Sequence, residues 1–319
     1  MRTPMIVDTD TASDDAIALI MALREPAVEV VAITVVAVNV PVAQASRNAR
    51  YVVELCGADV PVHDGAERPL ARDPRTATFF HGQDGLGDHG YPPPKRPAAS
   101  RDAATALVEA ARAHPGAVLV TLGPLTNVAR AVAQAPDIAS KVGRCVVMGG
   151  AACTVGNVTP AAEYNVWCDP EAARACFRSG LPIEMVGWEL SRGRANLDDA
   201  DIARCLGLGT ERARFAIECN STALEVNRSL FGGAGISLPD PVAMAVALDP
   251  GVVTRKSRHA VEVECDGALT RGMTVVDQLD VVSRGLAEES GFASSEPNVT
   301  VCWEIDVPRF KERLFGALA

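Results

Sequence analysis

Short apolar runs alternate along the chain with longer amphipathic ones. Residues 5–7 (Met-Ile-Val) are apolar, too short for a helix, and end on Asp8, which predicts a strand. Ser13 is placed to cap a helix whose first turn carries Asp14 and Asp15, followed by Ala16, Ile17, Leu19, Ile20 and Leu23, with Pro26 as its stop. Residues 28–38 are β-branched and almost wholly apolar, the pattern of a strand buried on both faces. A helix over about 43–56 follows, closed by Gly57. Strand–helix pairs continue at 118–122 with 125–135, 145–148 with 170–179, and 183–186 with a later helix. A helix near 240–248, strands near 260–265 and 299–305, and a helix from Val307 complete the pattern. The alternation predicts an α/β fold: an open, mostly parallel, Rossmann-like sheet flanked by helices, in a single domain over 1–319.

Two segments interrupt the rhythm. Residues 64–101 are rich in Gly, Pro and charge, and 191–238 read as a polar helical insertion ending in Phe231-Gly-Gly-Ala-Gly. Long loops of this kind in α/β proteins usually border the site.

Composition narrows the function classes. The 319 residues carry 30 Lys plus Arg against 40 Asp plus Glu, a net charge of −10, which opposes a nucleic-acid partner. No run reaches the roughly 18 apolar residues of a membrane span, and the N-terminus lacks the pattern of a signal peptide. Nine cysteines form no CxxC, the pattern of free thiols in a reducing cytoplasm rather than of a disulfide framework or zinc site.

Part of the acidity is concentrated. Asp8, Asp10, Asp14 and Asp15 fall within eight positions at the first strand-to-helix turn, on the sheet edge where open parallel sheets bind ligands. Helix-cap acids beside a solvated loop explain such a cluster as readily as a compensating cation does. If a cation is present, oxygen ligands without Cys or His point to Ca²⁺ or Mg²⁺. Polar groups also fall at three other strand ends: Asn39, then Asn157, Glu163 and Asn165, then Asp240. Each alone fits an ordinary turn or helix start, whereas their convergence on one edge is a stronger signal.

At this point the sequence becomes recognisable. Asp8-Thr-Asp-Thr-Ala-Ser-Asp-Asp-Ala resembles the DTDxxxDDA signature of the nucleoside hydrolases, calcium-dependent N-ribohydrolases. The likeness continues through Thr34-Val-Val-Ala-Val-Asn39, His81-Gly-Gln-Asp-Gly-Leu-Gly, Leu122-Gly-Pro-Leu-Thr-Asn127 and Met148-Gly-Gly. It returns in Ala162-Glu-Tyr-Asn165, Asp169-Pro-Glu, Asp240-Pro241 and Thr270-Arg-Gly-Met-Thr-Val-Val-Asp277, spanning nearly the whole chain in order. The resemblance implies that Asp10, Asp15, Asp240 and the Leu122 carbonyl hold Ca²⁺. It makes Asp10 the base that deprotonates water, with Asn39 holding water and sugar. Asp14 and Asn165 would bind the 2′-hydroxyl, Asn157 and Glu163 the 5′ end, and Met148 and Asp240 would join the substrate contacts. The implied reaction splits a ribonucleoside into ribose and free base, and the family commonly forms homodimers or homotetramers.

Two departures from the pattern stand out. The inosine-uridine members carry His before the late Asp to assist the departing base, where this chain has Pro239; Val38 stands where Gly usually precedes Asn39. Tyr164 as a stacking ring and His81 as a base contact are the candidates to compensate, with Trp188, Arg192 and Arg228 as weaker ones; each also fits a packing, turn or surface role. Two alternatives therefore stay open: a ribose or nucleoside binder that is non-catalytic or cleaves only activated substrates, and a haloacid-dehalogenase-like phosphatase built on Asp8 and Asp10.

Overall fold

The computed structural model describes residues 2–100, 102–230, 235–286 and 291–319. Its strands are β1 (Thr3–Thr9), β2 (Val28–Val35), β3 (Val62–Asp64), β4 (Val118–Thr121), β5 (Arg144–Met148), β6 (Ile183–Val186), β7 (Val253–His259), β8 (Val261–Val263), β9 (Thr274–Val276) and β10 (Val299–Ile305). Eight of them form one sheet in the order β3-β2-β1-β4-β5-β6-β10-β7, and β8 with β9 makes a separate antiparallel pair. Neighbours in the large sheet run parallel except β7, which lies antiparallel to β10 at the edge.

The helices are α1 (Ser13–Arg24), α2 (Val42–Leu55), α3 (Thr78–His81), α4 (Ala103–Ala113), α5 (Thr126–Gln134), α6 (Tyr164–Cys168), α7 (Pro170–Phe177), α8 (Asp199–Gly207), α9 (Glu211–Glu218), α10 (Ser221–Leu230), α11 (Pro239–Leu248) and α12 (Val307–Leu318). Side chains alternate across the sheet with the strand period of two. Met5 and Val7 join the core under α1, α2, α9, α11 and α12, while Ile6 joins the opposite core under α4, α5 and α7. Both faces are covered, as the strand–helix alternation predicted. Among the described residues no helix is long and apolar enough to cross a membrane.

The topology places the site. The chain winds outward from β1 through β2 to β3, then crosses back to β4 on the other side of β1. This reversal leaves a crevice at the carboxyl ends of β1 and β4, where the following loops diverge. Asp8 pairs in register with Thr34 and Thr121, so Asp10 and Leu122 emerge side by side just beyond.

Several local expectations change. Ser13 is the first helical residue and Ala12 the cap, because the Ser13 hydroxyl turns to His81 instead of the helix N–H groups. The strand from Val28 stops at Val35, and its first half is partly exposed because it emerges beside a short edge strand. The insertion is helical, as α8 to α10, while residues 231–234 of its expected end lie outside the described residues. The pattern gave no sign of β7, whose Thr-Arg-Lys-Ser-Arg stretch is exposed at the sheet edge. It also passed over α4, which Asp102 starts by accepting the N–H groups of Ala104 and Thr105.

Candidate active site

Carboxylates dominate the crevice. Asp10 and Asp15 are fully buried, Asp240 is 3% exposed, and Asp14, Asn39 and Asn165 are each 8% exposed, forming the rim open to solvent. Oxygens of Asp14, Asp15 and Asp240 lie within 4.8 Å of one another. Asp240 reaches this group from the first turn of α11, which Pro239 begins; proline suits that position because the N–H it lacks would have no partner there.

Each acid is held differently. Asp15 is engaged on both oxygens: Oδ1 accepts the Thr9 hydroxyl at 2.6 Å, and Oδ2 accepts the Ala12 N–H at 2.9 Å and the Asn39 amide at 3.3 Å. Asp10 Oδ2 accepts the Asn39 backbone N–H at 3.0 Å. Asp10 Oδ1 has no hydrogen-bond partner and lies against Gly123, where an added Cβ would come within 2.6 Å of it. Asp14 Oδ1 is likewise buried without a partner. Val38 causes no obstruction at this turn: its N–H bonds the Val40 carbonyl, and the Asn39 N–H still reaches Asp10.

Electrostatics follow from this crowding. Burial first, and then repulsion from Asp15, pushes Asp14 up to about 8 and raises Asp10 well above the usual carboxylate range. Asp240 is raised by burial and then by Asp14 and Asp15. Four buried acids, two of them with an orphaned oxygen and none ion-paired to Lys or Arg among the described residues, form an arrangement that a bound cation would relieve. The donor set is all oxygen, three carboxylates plus Asp10 beside the Leu122 carbonyl, which suits a hard divalent cation.

A layer behind the site fixes these groups. Asp8 lies under Asp10, with Oδ1 accepting the Thr34 hydroxyl at 2.5 Å and the Asn127 amide at 2.8 Å; burial pushes it up to about 7. Asn127 also accepts the Ala66 N–H at 2.9 Å, tying β3's exit to β1. The sequence carried Asn127 within a motif without showing this role.

The opposite wall is α6 and the 148–157 loop. Asn165 Nδ2 donates to the Leu122 carbonyl at 2.7 Å and reaches Met148 through its carbonyl at 3.3 Å and Sδ at 3.2 Å. Glu163 caps α6: its carboxylate accepts the N–H groups of Asn165, Val166 and Gly150, and burial pushes it up to about 7. Asn157 is exposed and accepts the Tyr164 N–H at 2.9 Å. The Tyr164 hydroxyl donates to the Arg75 carbonyl, and its ring lies nearly parallel to Trp167, 6.4 Å between centroids.

His81 is buried beside Asp14, its Nδ1 2.8 Å from the Ser13 hydroxyl and 3.9 Å from Asp14 Oδ1. Burial lowers it to about 4, so it is neutral near pH 7. Either group can donate in the Ser13–His81 bond; where Ser13 does, the ring proton sits on Nε2. Trp188 braces the 153–157 loop by donating to the Val155 carbonyl, and the Arg192 guanidinium stacks on it at 4.3 Å. Arg228 pairs with Asp199 of α8 at 2.8 Å and so belongs to the insertion's surface. Sequence reasoning missed Glu189, whose carboxylate folds back over Gly187, faces the Ala152 N–H, and is pushed up to about 7 by burial. The side-chain-free Gly187 two residues earlier was its available signal.

Comparison with known proteins agrees with this geometry. The family model described as "Inosine-uridine preferring nucleoside hydrolase" matches residues 5–312. A relative named "Probable uridine nucleosidase 1" from Oryza sativa subsp. japonica is 36% identical over 313 residues, covering 96% of this chain and 94% of its own. The solved structure titled "Plant nucleoside hydrolase - PpNRh1 enzyme" superposes with TM-score 0.91 at 31% identity, covering 100% of this chain and 99% of that one. A "Purine-Preferring Ribonucleoside Hydrolase from Gardnerella vaginalis" gives TM-score 0.88 at 30% identity, covering 99% and 98%.

Proposed function

The chain belongs to the inosine-uridine preferring nucleoside hydrolase family, whose members hydrolyse ribonucleosides to ribose and free base, and from that premise we propose how its residues divide the work. The observation that carries the reading is the buried cluster of Asp10, Asp14, Asp15 and Asp240 with its orphaned oxygens. Asp10, Asp15, Asp240 and the Leu122 carbonyl would hold Ca²⁺, which would supply positive charge beside the ribose hydroxyls and acidify water. The Leu122 carbonyl has a second lone pair, so the Asn165 amide on it does not exclude that role.

Asp10 takes the proton of the attacking water on its free Oδ1, while the Asn39 N–H holds the other oxygen and fixes the carboxylate's angle. Asn39 also holds the water and the sugar. Asp14 and Asn165 bind the 2′-hydroxyl, Asn157 and Glu163 the 5′ end, and Met148 backs Asn165. As the N–C1′ bond breaks, positive charge grows on the ribose, and carboxylates fixed around it stabilise that charge without a covalent intermediate.

Leaving-group assistance is where this chain differs. Pro239 has no proton to give. His81 is neutral near pH 7, and in the tautomer where Ser13 donates to Nδ1 its Nε2–H is a hydrogen-bond donor for the base, while Tyr164 offers a ring face. The enzyme is taken as one domain over 1–319, a homodimer or homotetramer, acting in the cytoplasm on small nucleosides.

One assay tests this. Calcium-loaded protein is incubated with purine, pyrimidine and nicotinamide ribosides and with p-nitrophenyl riboside, and reducing sugar is measured. The panel spans both base classes because one relative is named for uridine and another for purines. Release from ordinary nucleosides is expected; release from the activated riboside alone would remove His81 as an effective donor. No release anywhere, with ribose still bound, would leave a binder. Asp10→Asn should abolish turnover, and unchanged activity would refute its assignment as base.

A further inference from the structure

A second cavity, of about 400 Å³, lies between the 71–75 segment and α6, lined by Arg72, Asp73, Arg75, Trp167, Cys168 and Arg271. It adjoins the carboxylate site without belonging to it: the Tyr164 hydroxyl is bonded to the Arg75 carbonyl, and the Asp10 charge is felt at both Tyr164 and Cys168. Its own polarity is the reverse. Three arginines converge on it in a protein whose net charge is −10.

Two of the cationic groups make no ion pair among the described residues. Arg72 is neutralised by Glu171 at 3.1 Å and bonded to the Cys265 carbonyl, and Asp73 is drawn to Arg68 at 2.7 Å. Among the described residues no carboxylate forms an ion pair with Arg75 or Arg271. Arg271 is fixed in place: it donates to the Trp167 carbonyl at 2.8 Å and stacks over the Trp167 ring at 4.7 Å. Those contacts engage one nitrogen and one face, leaving the rest of the guanidinium fork unpaired. Burial and then the neighbouring Arg72 depress the Arg271 pKa, and the Glu171 carboxylate that pairs with Arg72 offsets only part of that. Arg75 is exposed on the same wall of the cavity.

We propose that this cavity is a phosphate subsite, in which the forks of Arg75 and Arg271 grip the anion against the Trp167 indole. A half-buried guanidinium held over an aromatic ring is pre-organised, so little side-chain freedom is lost when it closes on an oxyanion. The phosphate has two possible sources, a free ion or a nucleoside 5′-phosphate reaching across from the ribose crevice. The subsite rests on its own residues and does not need the catalytic assignments.

Isothermal titration calorimetry tests it, on protein carrying stoichiometric calcium without excess, with inorganic phosphate and uridine 5′-monophosphate as probes. Saturable phosphate binding is expected, weakened about tenfold or more by Arg75→Gln or Arg271→Gln, the scale of one lost charge-assisted hydrogen bond. If the monophosphate binds more tightly than phosphate and free ribose competes with it, the phosphate is carried by the nucleoside. If the two bind alike and ribose does not compete, the ligand is a free anion. Either result upholds the subsite. Absence of saturable binding overturns it, as does binding that Arg75→Gln leaves unchanged. Arg75 is exposed, so that variant keeps the test open should Arg271→Gln fail to fold. Substitutions that lower calcium affinity while leaving phosphate binding intact would show that the arginines only balance the acidic cluster, which also overturns it.

Discussion

Glu163→Gln isolates the electrostatics of the wall opposite the carboxylates. Glu163 is 2% exposed and accepts three backbone N–H groups, so two influences oppose each other: burial favours the neutral acid and the N–H donors favour the anion. Burial wins, lifting the group from 4.5 to about 7. The sign follows directly. A carboxyl raised on folding keeps a proton that the unfolded chain has released, so its stabilising contribution is complete below about pH 4.5 and is lost as pH rises to about 7. At ~1.4 kcal/mol per unit, the loss comes to about 3 kcal/mol. Glutamine does not titrate. The stability of Glu163→Gln relative to wild type should therefore climb by about 3 kcal/mol between pH ~4.5 and ~8, whatever its constant offset. Urea unfolding of both proteins in EDTA measures this, and titrations common to both cancel in the difference. A flat or falling difference would mean that the three N–H donors keep Glu163 ionised, and the reasoning would fail.

Chelation should abolish hydrolysis and added calcium should restore it; at a hundred times Kd, calcium should stabilise the fold by about 2.7 kcal/mol, and an unshifted melting temperature would count against the proposed ligand set. Asn127→Leu removes the bonds to Asp8 and Ala66 and should cost about 2–4 kcal/mol in denaturant unfolding; a neutral result would deny that layer its supporting role. Gly187→Ala puts a Cβ against the Glu189 carboxylate and should loosen the Ala152 turn, raising KM for ribosides while kcat holds. A fall in kcat alone would instead put Glu189 in the chemical step.

The parts legible in the sequence are those whose signal is local. Residues 183–186 and 299–305 are strands with the expected limits because their apolar runs end abruptly, and the Asp8–Asp15 motif marks the sheet edge by itself. What escaped depends on partners distant in the chain. Ser13 reads as a cap until His81 is brought beside it, sixty-eight residues on. Glu189 looks like a surface acid until the Ala152 turn covers it. The strand β7 is polar because only one of its edges is paired, so neither periodicity nor hydrophobicity reveals it. The arginine cavity combines residues 72–75, 167 and 271, which no spacing rule connects.

An open sheet ends in unpaired backbone, and that is a solubility hazard, since each bare edge can template another chain. The β7 edge presents Arg255, Lys256 and Arg258 in four successive positions, their heads turned back to Glu304, Glu184 and the Pro297 carbonyl. Two such edges brought together in antiparallel register would oppose cation to cation and break these inward bonds. The polar stretch that hides β7 from pattern reading is thus a guard against fibre growth. Replacing its arginines with β-branched apolar residues would make it easier to recognise as a strand, and the protein easier to aggregate.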